Sequence, residues 1–520
     1  MPRVVHWVQN HSVEHYPTHI TRQLYMPPGA SYIVTYFQIL SGGDRFANCV
    51  QWIAFVGSVL GVSLITKELV NESAQWIGML VSATIPMAIA QSTTTQTDLV
   101  TSFWLVCLTY FALKAQENDR TTLFWIAASF SLAIVTKPTA IIFGFPLFLI
   151  FAFLTFRKNL QHSQNFLYAC SKSLRNCIWI GVGGLVLSLP SWTRNFGSVG
   201  NFLGADQTTR SQVWSLPELL SNLLKNAALN LPIPGLAQLI LAIHEHVLKV
   251  DINEPRLNFA AMPFDTVKIS PVTLLIPSED NVANPLHFIL GFFVCLSFLS
   301  KCSKRNDEKH LKIFLLGMAT IGGFILFCYL LKWQAWGNRL MLPLFLLQAP
   351  ILSYYLVKIE KRYITCIFLV LASTIATFYT LTPIRHPLIA LPTQQWSPEY
   401  LGIHQSKSIL SLKRDDIYYS GSGKRLRSLH HDAVNTILHQ YKCRNIGFIS
   451  EQNDWEYPIW VLLNRKTESD FRMKHVAVQN ESKNLQPEFS DAEVCALLTS
   501  QGKTLQLEQE QSSLEKQLPK

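Results

Sequence analysis

The chain has 520 residues, 49% of them hydrophobic and only 15% charged, with a mean hydropathy of +0.20. That is too apolar for an ordinary soluble enzyme of this length and reads as a membrane protein. The net charge of +10 does not point to nucleic acid. Lys and Arg gather in short loops between apolar runs, as the positive-inside rule expects, and no stretch interleaves basic and aromatic residues as a nucleic-acid module would.

Residues 1–45 are polar and aromatic rather than spanning. Val4, Val5, Trp7 and Val8 predict a short helix lying in the membrane interface. The prolines of Tyr25-Met26-Pro27-Pro28-Gly29 break any helix there, and a new apolar run, Ala30 to Leu40, follows. Ten spans are then predicted at 46–65, 74–91, 98–113, 121–136, 139–155, 176–193, 286–300, 312–331, 339–356 and 364–383, several of them shorter than the ~20 residues of a perpendicular span.

Alternate loops carry Lys67; Lys114 and Arg120; Arg157, Lys158, Lys172 and Arg175; Lys301, Lys304, Arg305, Lys309 and Lys312; and Lys358, Lys361 and Arg362. These loops are expected to be cytoplasmic. The N-terminal segment, the lip at Asp98, the long 194–285 loop and everything after 383 then face outward. Within the long loop, Leu219–Leu229 and Leu236–His246 predict surface helices. His244-Glu245-His246 is not a metal spacing, since neighbours at i and i+2 point in different directions on a helix.

After 384 the pattern becomes that of a small α/β domain. Helices are expected over Leu426–Gln440 and Glu456–Leu463, strands over Asn445–Ser450, Lys474–Val478 and Val494–Thr499, and a frayed tail from Thr504. The parsing is therefore an external interfacial segment (1–45), a transmembrane domain (46–383), an external α/β domain (384–500) and a tail (501–520). Five cysteines (Cys49, Cys107, Cys295, Cys328, Cys366) lie in apolar runs, and none of the ten forms a CxxC. Cys443 and Cys495 fall in the external part, where a bridge between them is allowed but not expected.

The chemistry concentrates at 96–137. Gln-Thr-Asp-Leu-Val opens one apolar run, a polar bend spans Lys114 to Arg120, and a second run ends at Thr136-Lys137-Pro138. A helical hairpin of this kind brings Asp98 and Lys137 out at the same end. An ionisable group at the lip of a membrane helix is costly and reads as functional. The plainer alternative is a capping Asp and a snorkelling Lys. Arg194, in Pro190-Ser191-Trp192-Thr193-Arg194-Asn195, and Arg339, in Trp333-Gln334-Ala335-Trp336-Gly337-Asn338-Arg339, also sit at external span ends. Arg suits phosphate through its planar fork, and equally anchors headgroups beside Trp.

Taken together, four pieces resemble the bacterial polytopic glycosyltransferases of the GT-C type, which include the dolichyl-phosphate-mannose protein mannosyltransferases and the aminoarabinose transferases of lipid A (family 39 or 83 type). They are Tyr25 to Gly29, Gly-Gly-Asp-Arg at 42–45, Thr-Asp-Leu at 97–99 and Thr-Lys-Pro-Thr-Ala at 136–140. The resemblance covers roughly 1–385 and implies a GT-C fold. The implied reaction moves a sugar from a polyprenyl-phosphate carrier to a hydroxyl outside the cell membrane, on a protein, lipid or glycan acceptor. The chemistry explains the residue types independently. A glycosyl phosphate leaves as an anion and needs fixed cations where charge grows, a role for Lys137, Arg194 and Arg339. An acceptor hydroxyl needs a carboxylate to take its proton, a role for Asp98. Arg3, His6, His15, His19, Arg22, Glu279 and Asp280 are further candidates to line the mouth.

No cofactor is assigned, and a divalent metal joining Asp98 to Glu279 and Asp280 is left open. Members of the group carry an acid just after a first membrane helix. This chain begins at Met1-Pro2-Arg3-Val4-Val5-His6, like the sequence just after that acid, with Glu14 and Asp44 as poor replacements. A truncated N-terminus is therefore expected, which also accounts for an external start without a signal peptide. A lipid or glycan transporter, or a catalytically dead glycan-binding relative, are the competing readings. The first is disfavoured by the absence of paired interrupted helices in two halves. Asp454-Trp455-Glu456-Tyr457 could stack a sugar, but a capping Asp before buried aromatics is the plainer reading.

Overall fold

The computed structural model describes residues 1–114, 120–204, 208–259, 263–264, 278–301, 308–383, 386–390, 407–420, 424–451, 454–466, 471–501 and 504–508. Most of the bend at 114–120, the basic pair Lys304 and Arg305, and the tail beyond 508 lie outside the described residues. The chain forms two compact units. One comprises Met1–Phe46, Leu189–Asp206 and Ile384–Lys520, the other Ala47–Ser188 and Gln207–Pro383. The N-terminal segment and the start of the long loop thus belong with the C-terminal domain rather than standing apart.

In the second unit, helical segments occupy the places of all ten predicted spans. Among the described residues, five helices are long and apolar enough to cross a membrane: Cys49–Leu69, Thr139–Ser163, Phe166–Val199, Glu308–Leu330 and Arg362–Leu381. Phe166–Val199 runs on into the first unit. Others are shorter, such as Leu342–Lys358 at 17 residues; at ~1.5 Å per residue it falls short of the ~30 Å hydrocarbon layer. Their outward faces are apolar, with Ile367 54% and Val370 64% exposed on Arg362–Leu381, the inverse of a water-soluble surface.

Two expected spans are interrupted. The run predicted at 74–91 is bent by 69° between Glu72–Ala83 and Pro86–Ser92. Pro86 cannot donate to the preceding turn; the Ile85 amide turns to the Ser82 carbonyl, and the Val81 carbonyl accepts from Thr84 Oγ1 at 3.2 Å and from His287 Nε2 at 3.0 Å. The run predicted at 339–356 starts as a short turn, Gly337–Leu340, before Leu342–Lys358.

Helix Cys49–Leu69 lies hard against Asp98–Lys114 through two glycines one turn apart. A Cβ on Gly57 would stand 2.6 Å from the Phe103 ring, and one on Gly61 2.5 Å from Val106 Cγ1, the close approach that small residues allow between membrane helices. Leu99, Leu105, Val106, Val62 and Ile65 are fully buried at this seam. In the long loop, Leu216–Ala228 and Leu236–Ile243 are helical as expected, and pack on Trp333 with Ile252 and Phe264.

The first unit holds a four-stranded sheet: β1 (Asn445–Ile449), β2 (Arg472–His475), β3 (Ala496–Gln501) and β4 (Thr504–Glu508), in the order β2-β1-β3-β4. β1 runs parallel to β2 and β3, and β4 is antiparallel to β3. β4 corrects the expectation of a tail from Thr504: Leu505 and Leu507 alternate with polar neighbours and pack on the domain core, the period-2 pattern of a half-buried strand. Helix Tyr457–Lys466 follows β1, and Trp460 and Leu463 fill the same core.

Cys443 and Cys495 are joined in a disulfide, with Cα atoms 5.6 Å apart across 52 residues; the unexpected bridge ties the entries of β1 and β3. The N-terminal helix Pro2–Asn10 is also corrected. Its Val5 enters the core of the α/β domain, and Trp7 packs with Tyr16 and Leu24, so protein rather than a membrane interface covers that face.

Candidate active site

Asp98 opens its helix, where a negative side chain complements the exposed N–H groups of the first turn. Gln51 secures this end by accepting from the Leu99 and Val100 amides at 3.0 and 3.2 Å, while its amide donates to Gln91 Oε1 at 3.2 Å. Lys137 occupies the turn between helices Arg120–Thr136 and Thr139–Ser163, and its Nζ donates to Asp98 Oδ1. The hairpin geometry thus closes as an ion pair whose side chains are 17% and 2% exposed. Burial lowers the Lys137 pKa from its usual value, with the Asp98 carboxylate opposing and Arg339 adding to the effect.

Arg339 and Asp280 form a second pair beside the first. Arg339 Nη1 contacts Asp280 Oδ1 at 2.6 Å and Gln96 Oε1 at 2.5 Å. Gln96 in turn donates to Asp280 at 2.9 Å, so it bridges the lip of the Asp98 helix to the second pair. Lys137 feels the charges of both Arg339 and Asp280, which makes the four side chains one electrostatic neighbourhood. Two buried atoms in it have no hydrogen-bond partner among the described residues: Asp98 Oδ2 and Arg339 Nε. A buried carboxylate oxygen and a buried guanidinium N–H without partners are costly.

Support comes from groups that sequence reasoning did not single out. Asn338 donates to Leu229 O and Val282 O at 2.9 and 3.0 Å. Asn284 accepts from the Met87 amide at 2.9 Å and receives Asn230 as its own acceptor. Gln91 donates to the Glu279 carbonyl. A buried Gln51, Gln91 or Asn284 in or beside an apolar run is itself the available signal, because such groups need partners.

The remaining candidates lie in the other unit. Arg194 Nη2 donates to Tyr32 at 2.6 Å. Arg3 donates to Met26 O at 2.6 Å and Ser31 Oγ at 2.6 Å and lies over the Trp7 ring; burial lowers its pKa to about 10. These contacts make Arg3 a tether of the N-terminal segment. His15 meets Ser198 at 2.7 Å and His19 Nε2 donates to Val476 O at 2.9 Å, while Arg22 is exposed.

His6 lines no mouth: it is fully buried between Glu456 and Glu488. Burial opposes its charge, but the two glutamates outweigh it and raise its pKa to about 9. Glu456 is buried too, and Trp455 and Tyr457 pack half-buried against the domain core. Asp44 is committed to Arg414 and Tyr418. His244 is buried against Ser221 while Glu245 and His246 are exposed, as the i, i+2 spacing implies.

Residues 26–174 match the family described as dolichyl-phosphate-mannose-protein mannosyltransferase. Among solved structures, the chain is similar to ArnT from Cupriavidus metallidurans bound to undecaprenyl phosphate: 12% identity, 96% of this chain and 92% of that chain covered, TM-score 0.49. It is also similar to the oligosaccharyltransferase of Archaeoglobus fulgidus in the apo form: 14% identity, 91% of this chain and 59% of that chain covered, TM-score 0.42. No curated protein matches. The match over 26–174 spans the hairpin and its Asp98–Lys137 pair, and the chain is similar to the polytopic membrane glycosyltransferases that its sequence resembles.

Proposed function

We propose that this protein transfers a sugar from a polyprenyl-phosphate carrier to a hydroxyl acceptor on the external side of the cell membrane, with inversion at the anomeric carbon. The acceptor oxygen attacks that carbon, its proton passes to Asp98 Oδ2, and the bond to the carrier phosphate breaks with both electrons leaving on oxygen. Lys137 and Arg339 balance the growing negative charge. The observation that supports this reading is the unpartnered Asp98 Oδ2 next to a cation pair whose Arg339 Nε is also unpartnered. The Cys443–Cys495 bridge supports an external α/β domain, since such bonds persist in oxidising compartments.

The test is release of label from a radiolabelled polyprenyl-phosphate sugar pool in membranes containing the wild-type chain, Asp98→Asn and Lys137→Met. Turnover by the wild type, reduced on the order of 100-fold or more by Asp98→Asn, is the expected result. Turnover that survives Asp98→Asn would assign the base elsewhere. No turnover with any donor sugar would favour a glycan-binding or transport role.

A further inference from the structure

His6, Glu456 and His475 come from three separate elements of the first unit: the N-terminal helix, the entry to helix Tyr457–Lys466, and the end of β2. Their ligand-type atoms all lie within 4.8 Å of one another, and all three residues are buried. His6 Nε2 stands 2.8 Å from Glu456 Oε1, and His475 Nε2 3.4 Å from Glu456 Oε2. We propose that these three side chains form a structural divalent-cation site, of the chemistry that takes Zn2+, which clamps the N-terminal helix onto the α/β domain. The inference is independent of the transferase reading.

Geometry makes the first argument. His6 sets Nε2 against Glu456 Oε1 at 2.8 Å and Nδ1 against Glu488 Oε1 at 2.7 Å. His475 Nδ1 accepts the His19 amide at 3.3 Å, and its Nε2 faces Glu456 Oε2. Two imidazoles and two carboxylates thus converge out of solvent, with Glu456 and His6 at 0% exposure, which is the donor chemistry that a divalent cation requires.

Unsatisfied atoms make the second. Glu488 Oε2 is buried and has no hydrogen-bond partner among the described residues, and His475 Nε2 has only the long 3.4 Å approach to Glu456 Oε2. To ligate, His475 moves its ring proton to Nδ1 and gives up the long contact with the His19 amide, a weak bond beside a metal–nitrogen bond.

The outer groups are also of the right kind. Glu488 would hold the proton on His6 Nδ1 and leave Nε2 for the cation, as a carboxylate behind a ligating histidine does. Trp460 Nε1 and Gln23 Nε2 donate to the Glu456 oxygens at 3.0 and 3.3 Å and orient that carboxylate. Two imidazoles with one carboxylate is a zinc-type donor set.

The experiment uses the full chain in detergent, purified without chelator, then stripped and titrated with ZnCl2 alone. Expected are about one equivalent of zinc and an X-ray absorption edge reporting only N and O neighbours at ~2.0–2.1 Å. Chelator should lower the thermal midpoint, and His475→Gln and Glu456→Gln should weaken zinc binding on the order of 100-fold, whereas His246→Gln should leave it unchanged. Absence of uptake at micromolar free zinc, sulfur in the first shell, or equal uptake by His475→Gln would overturn the site. Should the variants fail to fold, the absorption spectrum and chelator response of the wild type decide.

Discussion

At the residue scale, the two ion pairs of the candidate site make different demands. Asp98→Asn removes the proposed base and also strips Lys137 of its carboxylate, leaving an ammonium whose side chain is only 17% exposed. Lys137→Met removes the cation and leaves the carboxylate at 2% exposure without a counter-charge. Replacing both together, as Asp98→Asn with Lys137→Met, should therefore restore stability that either single change loses, while transfer stays absent. A double-mutant thermal-denaturation cycle checks this, with a coupling of ~1–3 kcal/mol expected for a buried contacting pair.

Asp44 provides a pH test away from the membrane segments. Burial raises its carboxyl, but hydrogen bonds from Tyr418 and Arg414 outweigh that and hold its pKa below the ordinary value. A carboxyl depressed in the folded state contributes stability that is present above its unfolded pKa of ~3.9 and lost as pH falls through the folded value. Asp44→Asn should thus cost ~1–2 kcal/mol at neutral pH and flatten the decline in stability below about pH 4. An unchanged acid limb in pH-dependent melting would show that Asp44 does not carry it.

At the element scale, the helical hairpin was legible because short chain connection leaves so little freedom: two apolar runs joined by a bend must return their ends to one face, so Asp98 and Lys137 meet. Asp280 and Arg339 are 59 residues apart across a long loop, and nothing in hydropathy brings them together. The Cys443–Cys495 bridge was hidden for the same reason, because a 52-residue separation fixes no distance until the parallel pairing of β1 and β3 sets it. Other misses had a visible signal. Pro86 marks the broken helix, and Leu505 with Leu507 marks β4.

Close packing between elements is testable at Gly61, where a Cβ would meet Val106 at 2.5 Å. Gly61→Leu should force helix Cys49–Leu69 away from Asp98–Lys114 and disturb the Gln51 contacts that hold the Asp98 end. Overpacking of this kind costs ~1–3 kcal/mol. Reduced recovery of monodisperse protein from detergent is expected, with Gly42→Ala, in open space at a left-handed φ of 63°, as a strained-backbone comparison that leaves this seam intact.

At the scale of the whole molecule, the charge pattern and the bridge support the proposed orientation by separate physics. In the proposed orientation, Lys and Arg in alternate loops stay on the cytoplasmic side and residues after 383 face outward. The disulfide supports the same proposed placement, since such bonds persist in oxidising compartments. A protein expressed in a bacterial host should therefore carry Cys443 and Cys495 oxidised, so that a thiol reagent added to denatured, unreduced protein misses both and labels them after reduction. Protease added to spheroplasts should cut within the C-terminal domain while loops bearing Lys67 and Lys358 stay protected. The double variant Cys443→Ser with Cys495→Ser should lose ~2–4 kcal/mol of domain stability without changing which loops are protected, because basic loops rather than the bridge set the topology. A domain that is reduced and protected in intact spheroplasts would invert the orientation, and with it would place Asp98 and Lys137 on the cytoplasmic face, where the sugar donor would have to be presented.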